Sequence, residues 1–492
     1  MKTYKVILFF AGVFGLLALF GWLMPEEGID VGSEVVGNVE KPIVHIGFVK
    51  PEDVIFGTTI DTVPRYVPKS NKNLRQDSVS LAEMDAMAKA KYEVVTADNA
   101  IAFPNNDPAW MDPVFEMLRM ADRYPIRVIH YGDSQIEIDR MTSELRHQFQ
   151  SVFGGFGVGM LPAIQTVTTT AIRQSCNKEL TRYIVYSPNQ KTKSNMYGPM
   201  GQTAVLQGKV SFTFQRQSMK STKNGTKRFG QVGILYEPYN NDHGQDGILA
   251  TGIVKAGDSE FPFVLKDGTT FCCVDIPDST TKATVTLTGH ALIHGFMLDG
   301  NGVGVNVDNV PMRGCSGTVF TQIAQSSLLS YYGRFNVPLI IMQYGGNAMP
   351  YLKPGKSAHE FCNGLRRQFR LFKKISPNSR ILFIGPSDMS TSVNGKLQTY
   401  PNLPVIVDSI RTVCLENNVA FWDLYTAMGG WNSMLKWVHA NPQLAGEDYI
   451  HFTTVGAERA GKMLTNAIFS AYDYYLRRNP DTGGARNLKQ YE

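Results

Sequence analysis

Three separate places in this sequence hold a serine, a side-chain amide, and a carboxylate with an imidazole. Together these are the parts needed for acyl transfer through a serine. Gly132-Asp133-Ser134 offers a nucleophile, Gly345-Gly346-Asn347 an amide donor, and Asp448-Tyr449-Ile450-His451 an imidazole three residues after a carboxylate. That spacing lets Asp448 accept from one ring nitrogen of His451 while the other faces Ser134. A glycine-rich turn, Gly314-Cys315-Ser316-Gly317-Thr318, is placed to give a backbone N–H to the same oxyanion. Each feature alone has a plainer explanation. Asp or Ser between strand and helix is often an N-cap, Asn after two glycines suits a left-handed turn, and Asp448 with His451 fits a solvated loop.

The elements around them decide between these readings. The apolar run 126–129 precedes Ser134, and a second run, 338–342, precedes Asn347. Both read as buried strands delivering a residue to their carboxyl ends, where sites form in a parallel sheet. A helix is expected from 138 to 153, stopped by Gly154-Gly155. After Pro162 the pattern changes to short alternating segments at 209–215, 231–236, 270–276, 283–288 and 291–298. Turns such as Asn224-Gly225 and Asp267-Gly268 separate them, the signature of a β-sandwich. From Gly302 strands are expected at 303–307, 338–343, 380–384 and 419–424, alternating with helices at 319–332, 359–375, 405–417 and 455–474. Strands alternating with helices imply a parallel sheet covered on both faces. The expected organisation is an α/β domain, 105–165 and 300–478, interrupted by an all-β module, 166–299. Residues 26–104 read as an extended arm with a helix-like stretch at 80–92, and 479–492 as a tail.

At 492 residues the chain is long enough for two or three domains, and its 48 basic and 43 acidic residues are nearly balanced. No dense basic block argues for nucleic acid. Lys2 and Lys5 precede an uncharged run of 19 residues, 6–24, followed by Pro25-Glu26-Glu27. A run of about 19 residues just spans a bilayer core, and the charges place the remainder of the chain outside the cytoplasm. An uncleaved signal anchor over 1–25 is therefore expected, with a cleaved signal peptide as the competing reading; no A-x-A-like site comes after the run. The six cysteines (Cys176, Cys272, Cys273, Cys315, Cys362, Cys414) lack C-x-x-C spacing, which argues against a zinc or redox centre.

The four blocks, in this order and each after a strand, resemble the SGNH (GDSL-type) hydrolase superfamily. The resemblance covers about residues 105–165 and 300–475. It implies a flavodoxin-like three-layer α/β/α domain and roles by match. Ser134 is the nucleophile, Gly317 and Asn347 complete the oxyanion hole with the N–H of Ser134, His451 is the base and Asp448 its partner. His130-Tyr131-Gly132-Asp133-Ser134-Gln135, residues 153–159, Gly385-Pro386-Ser387-Asp388 and Gly429-Gly430-Trp431-Asn432-Ser433-Met434 look like a bacterial cell-envelope subgroup. That subgroup includes peptidoglycan O-acetylesterases with a carbohydrate-binding-like β-domain between the Ser and Gly blocks. Two positions depart from the pattern. Gln135 replaces the Leu of the name-giving motif, and Arg313-Gly314-Cys315-Ser316-Gly317 is an unusual Gly block that leaves both Gly314 and Gly317 open as donor.

Taken together, these features lead to the expectation of a membrane-anchored, outward-facing serine esterase acting on acetylated polysaccharide or peptidoglycan. It would need no cofactor or metal and have no nucleic-acid partner. A glycan O-acetyltransferase using the same site, or a glycan-binding protein with a relic site, are the alternatives. His290 and His294 lie in a strand-like stretch without further ligands, so a metal pair there is not expected. Trp431 and Trp437 fit either a sugar platform or core, and Trp110 has no better claim.

Overall fold

The computed structural model describes residues 99–217, 227–300 and 302–479, and the backbone of 29–36 and 39–46. The signal anchor expected over 1–25, the helix-like stretch 80–92, the Asn224-Gly225 turn and the tail after Asn479 lie outside the described residues. The chain divides into two compact units, residues 1–62 and 63–492. In the first, where an extended arm is expected, Ile29–Val36 and Val39–Ile46 pair as an antiparallel hairpin.

Six strands form the central sheet of the second unit: β1 (Ile101–Ala102), β2 (Pro125–Gly132), β3 (Gly304–Pro311), β4 (Asn336–Gln343), β5 (Arg380–Ile384) and β6 (Ala420–Trp422). Their spatial order is β3-β2-β4-β5-β6-β1. Strands β2 to β6 are parallel, and β1 runs antiparallel on the edge of β6. The five parallel strands therefore have the doubly wound order 2-1-3-4-5, which reverses direction between β2 and β4. Among the described residues eight α-helices accompany them: α1 (Asp112–Leu118), α2 (Thr142–Phe153), α3 (Gln325–Tyr332), α4 (Lys356–Ile375), α5 (Leu403–Glu416), α6 (Leu424–Ala427), α7 (Ser433–Val438) and α8 (Thr454–Arg478).

Alternate strand residues enter two separate cores. Val128, Leu339, Ile341, Leu382 and Ile384 pack with α1, α2 and α8 on one face. Ile129, Ile340, Met342, Ile381 and Phe383 pack with α3, α4 and α5 on the other. With both faces buried, these strands have no polar side, which is why they read as unbroken apolar runs. Several boundaries differ from expectation. Helix α2 begins at Thr142 rather than 138, and α3 at Gln325 rather than 319, because a tight 3-10 turn precedes each. Residues 101–102, expected in the arm, belong to the sheet; two residues carry no period to read. They are held by Asn99, whose Oδ1 accepts from Trp422 Nε1 at 2.9 Å and whose amide donates to Met463 O at 2.6 Å.

Between α2 and β3 the chain builds an all-β module of nine strands, every pairing in it antiparallel. Its interior is a third core that includes Phe212, Phe214, Val285, Leu287 and Phe296. The module's first strand, Gly157–Pro162, lies upstream of residue 166, in a glycine-rich stretch that shows no alternation. Lys282–Asp299 is one strand of 18 residues, where Gly289-His290 suggests a break. Ile248–Ala256 and Ser259–Lys266, where no strand is expected, form a hairpin around Gly257-Asp258, a two-residue turn signal in the sequence.

One buried cation joins module to sheet. Arg127 on β2 donates to Asp308 of β3 (Nε–Oδ2 2.9 Å, Nη2–Oδ1 2.5 Å) and to Asp299 at the end of the module's last strand (Nη1–Oδ2 2.7 Å). Asp308 also accepts from the backbone N–H of Met160 at 2.8 Å and the hydroxyl of Tyr331 at 2.9 Å. Arg127 and Asp308 are buried and Asp299 nearly so. Removing one partner of such a set leaves uncompensated buried charge, which costs about 3–5 kcal/mol. Arg127→Leu is accordingly expected to lower unfolding stability by that amount in urea titrations; an unchanged midpoint would contradict this role.

Candidate active site

Strand β2 ends at Gly132, and Asp133 turns the chain. Its Oδ1 accepts from Gln135 N at 3.0 Å, so Ser134 opens a short 3-10 segment, Ser134–Asp139. The segment leaves helical geometry at Ile138 and Asp139, with φ of 59° and 66°. A β-branched residue in that region is strained. The corner is held by Arg146, which clasps the Asp139 carboxylate at 2.6 and 3.0 Å, and by Thr170 N donating to Ile138 O at 3.1 Å.

The imidazole arrives from the loop before α8. Asp448 Oδ1 accepts from Ile450 N and His451 N, both at 3.0 Å, and its Oδ2 lies 2.7 Å from His451 Nδ1. Burial alone would raise the Asp448 carboxyl, but these N–H groups and the ring hold it below its ordinary value. A carboxylate only accepts, so Nδ1 carries the proton and Nε2 presents its lone pair. Nε2 lies 2.8 Å from Ser134 Oγ, across 317 positions of sequence. The structure thus brings Ser134, His451 and Asp448 into one relay.

Two side chains to which the sequence alone assigns no role pin these loops together. Gln135, the departure from the family's Leu, donates through Nε2 to Ile450 O at 2.5 Å and accepts on Oε1 from Phe452 N at 3.3 Å. It grips the backbone on both sides of His451. Arg140 donates to Phe452 O at 2.7 Å, to Ser134 O at 3.2 Å and to Glu137 O at 3.0 Å. Behind them Asp388, of the Gly385-Pro386-Ser387-Asp388 motif, accepts from Met434 N at 2.7 Å, Ser433 Oγ at 3.3 Å and Thr399 Oγ1 at 2.8 Å. Ser390 N then donates to Tyr449 O at 3.1 Å, so this loop backs the histidine loop.

Asn347 stands next to the serine turn. Gly345, at φ 122°, makes the bend after β4 that sets it there. The Asn347 amide donates to Asp133 Oδ2 at 2.9 Å and, at longer range, to Cys315 O at 3.3 Å. Asp133 is buried, and burial pushes its carboxyl up to about 6, against the downward pull of the Gln135 N–H, His451 and the Asn347 amide. Of the two candidate glycines, Gly317 (φ 84°) packs under Tyr344, where a Cβ would sit 2.5 Å from the ring, and its N–H points at Cys315 Sγ at 3.3 Å. Gly314 stands in open space. Neither lines the cleft that contains Ser134. The Gly block instead touches the site through Cys315 O and through Arg313, whose guanidinium forms a two-pronged pair with Glu137.

The cleft has a volume of about 250 Å³ and is lined by Ser134, Asn347, Tyr351, Ser387, Met389 and His451 among others. Tyr351 at its rim is 81% exposed. Trp437 is core, buried against Phe452 with ring centroids 5.1 Å apart, whereas Trp431 is half-exposed and lines no part of this cleft. Trp110 donates to Asn418 Oδ1. His290 pairs with Asp242 at 2.6 Å, and His294 lies 3.3 Å from Glu237. Among the described residues no three His, Cys, Asp or Glu side chains gather as a metal set, and all six cysteines are unpaired.

No family model and no curated protein matches this sequence. Among solved structures, a peptidoglycan O-acetylesterase aligns over 75% of this chain and 97% of its own, with a TM-score of 0.56 and 19% identity. That likeness shows a shared fold, and it is the fold implied by the SGNH resemblance. Two others are a family two carbohydrate esterase from Clostridium thermocellum in complex with cellohexaose and a family two enzyme with a carbohydrate-binding domain from Corynascus thermopiles. They cover 60% of this chain each, and 100% and 99% of their own, at 10% and 12% identity; their TM-scores of 0.26 and 0.27 are too low to carry any argument.

Two measurements test this geometry. The Asp133 carboxyl titrates above its ordinary 3.8, so the stability tied to its neutral form is full below that value and is lost as pH rises through about 6. The difference in unfolding free energy between wild type and Asp133→Asn should therefore fall by roughly 2 kcal/mol between about pH 4 and 7; a flat difference would argue against a raised Asp133. In proton NMR the His451 Nδ1–H, bound to Asp448, should give a downfield resonance. It should vanish in Asp448→Ala and broaden in Gln135→Ala, whereas a sharp, unshifted line in the latter would remove Gln135 from its positioning role.

Proposed function

We propose that this chain is a serine esterase that removes O-acetyl groups from a polysaccharide, with cell-envelope glycan, peptidoglycan included, as the substrate class. The observation that carries the reading is the relay Ser134 Oγ–His451 Nε2 at 2.8 Å and His451 Nδ1–Asp448 Oδ2 at 2.7 Å. As Oγ attacks the ester carbonyl carbon, Nε2 takes its proton and the imidazolium is stabilised by Asp448. The oxyanion is met by the N–H of Ser134 and by Asn347, which gives up its longer bond to Cys315 O while Asp133 keeps it oriented. Collapse expels the sugar alkoxide, protonated by His451. Water activated by the same Nε2 then attacks the acyl-serine and releases acetate.

Several features support the finer parts of the reading. The fold shared with a peptidoglycan O-acetylesterase favours an acetylated glycan. We read the nine-stranded module as a carbohydrate-binding-like β-sandwich set beside the catalytic domain. The half-exposed His451 leaves the acyl-enzyme open to water, which favours hydrolysis over transfer to another sugar. The uncharged run 6–24 supports an envelope location with the catalytic domain outside the cytoplasm.

Initial rates on p-nitrophenyl acetate test the assignment. Ser134→Ala and His451→Ala in the full-length chain should each lower kcat by about 10³-fold or more, with Asp448→Asn falling about 10²–10⁴-fold through loss of the correct tautomer. Wild-type rates in both Ser134→Ala and His451→Ala would overturn it.

A further inference from the structure

A second concavity, of about 240 Å³, lies where the β-module meets the catalytic domain. One short segment of chain runs from the catalytic cleft to it. In the segment Ser134–Asp139, Ser134 and Gln135 line the cleft, whereas Glu137, Ile138 and Asp139 line the second cavity. The strained corner at Ile138 and Asp139 is what turns the chain from one to the other. The opposite wall comes from the module and includes Met160, Leu161, Arg182 and Gln202.

The charges lining this cavity do not balance. Three guanidiniums face two carboxylates. Arg146 is neutralised by Asp139 and Arg313 by Glu137. Arg182 has no carboxylate partner among the described residues. It donates through Nε and Nη2 to one neutral acceptor, Gln202 Oε1, at 2.9 and 2.5 Å, which leaves Nη1 without a protein acceptor there. Burial lowers its pKa, the mark of a cation taken from water without full compensation. A guanidinium in that position is a receptor for a planar monoanion, because its fork matches a carboxylate. One unmatched positive charge also suits a carboxylate better than a phosphate dianion. The volume is below the roughly 300–1,000 Å³ of pockets for drug-sized ligands, so the fit is to one sugar-sized group.

We propose that this cavity is a subsite for a carboxylate-bearing sugar unit of the glycan whose ester Ser134 attacks, with Arg182 as the residue that reads the carboxylate. The proposal rests on the esterase reading for the identity of the chain bound, but not for the binding itself. A sugar held there contacts the same six-residue segment that carries the nucleophile. The enzyme thereby selects acetyl groups on acidic polysaccharide over those on neutral polysaccharide.

Calorimetry on the full-length Ser134→Ala chain reads the subsite without turnover, using trigalacturonate and its uncharged methyl ester as probes. The acid should bind at least 10-fold more tightly than the ester. Arg182→Gln in that background should abolish the preference, and Arg182→Lys should keep part of it. Equal binding of the two probes by the parent overturns the proposal without recourse to any further variant. So does an acid preference that survives Arg182→Gln. With Ser134 intact, Arg182→Gln should lower kcat/KM for O-acetylated oligogalacturonate at least 10-fold relative to that for p-nitrophenyl acetate; an unchanged ratio also overturns the proposal. If no ester is hydrolysed while acid binding still depends on Arg182, the esterase reading fails and the subsite stands. If esters are hydrolysed without any acid preference, only the subsite fails.

Discussion

The site depends on a gap between two parallel strands. In the order β3-β2-β4-β5-β6, the connection leaving β2 goes to one side and the chain returns to β4 on the other. A crevice opens at the carboxyl ends of β2 and β4, where the strand order reverses. Ser134 leaves the end of β2 and Asn347 the end of β4, which places hydroxyl and amide on the two lips of one crevice. The third component has no such freedom. His451 comes from 317 positions further on, and nothing in the sheet itself brings it to Ser134.

That closure is made by backbone capture. Gln135 and Arg140 both leave the serine turn and take hold of peptide groups flanking His451, so the imidazole is located by its main chain rather than by packing of its ring. This suits a histidine that stays half-exposed and must exchange protons with substrate and water. Buried charge nearby is paired in the same way. Arg127 holds Asp299 and Asp308 at the seam with the β-module, Arg146 holds Asp139, and Arg313 holds Glu137. Arg182 is the exception among the arginines lining the second cavity, with Gln202 as its acceptor among the described residues.

The fold was legible wherever strands were buried on both faces. The run Leu339-Ile340-Ile341-Met342 has no polar side to confuse it, and the strand expected at 380–384 coincides with β5. Legibility failed where tertiary contact replaced local pattern. β1 is two residues held by Asn99 and Trp422, and Gly157–Pro162 is a strand without alternation. Among the site residues, Ser134, Asn347, Asp448 and His451 were visible by type and spacing, and the structure brings them together. Gln135 was visible only as a deviation. Arg140 was invisible, because a solitary arginine reveals nothing of the three carbonyls it reaches. The Gly block was read as an oxyanion donor, yet the packing of Gly317 beneath Tyr344 gives that glycine a steric reason as well.

The central claim is that Ser134 is a nucleophile made reactive by His451. Treating the full-length chain with a fluorophosphonate to complete inactivation, then mapping the adduct by peptide mass spectrometry, tests it most directly. A single phosphonyl group on Ser134, forming far more slowly in His451→Ala, is the expected result. An inactivated enzyme with Ser134 unmodified and the adduct on another residue would contradict it.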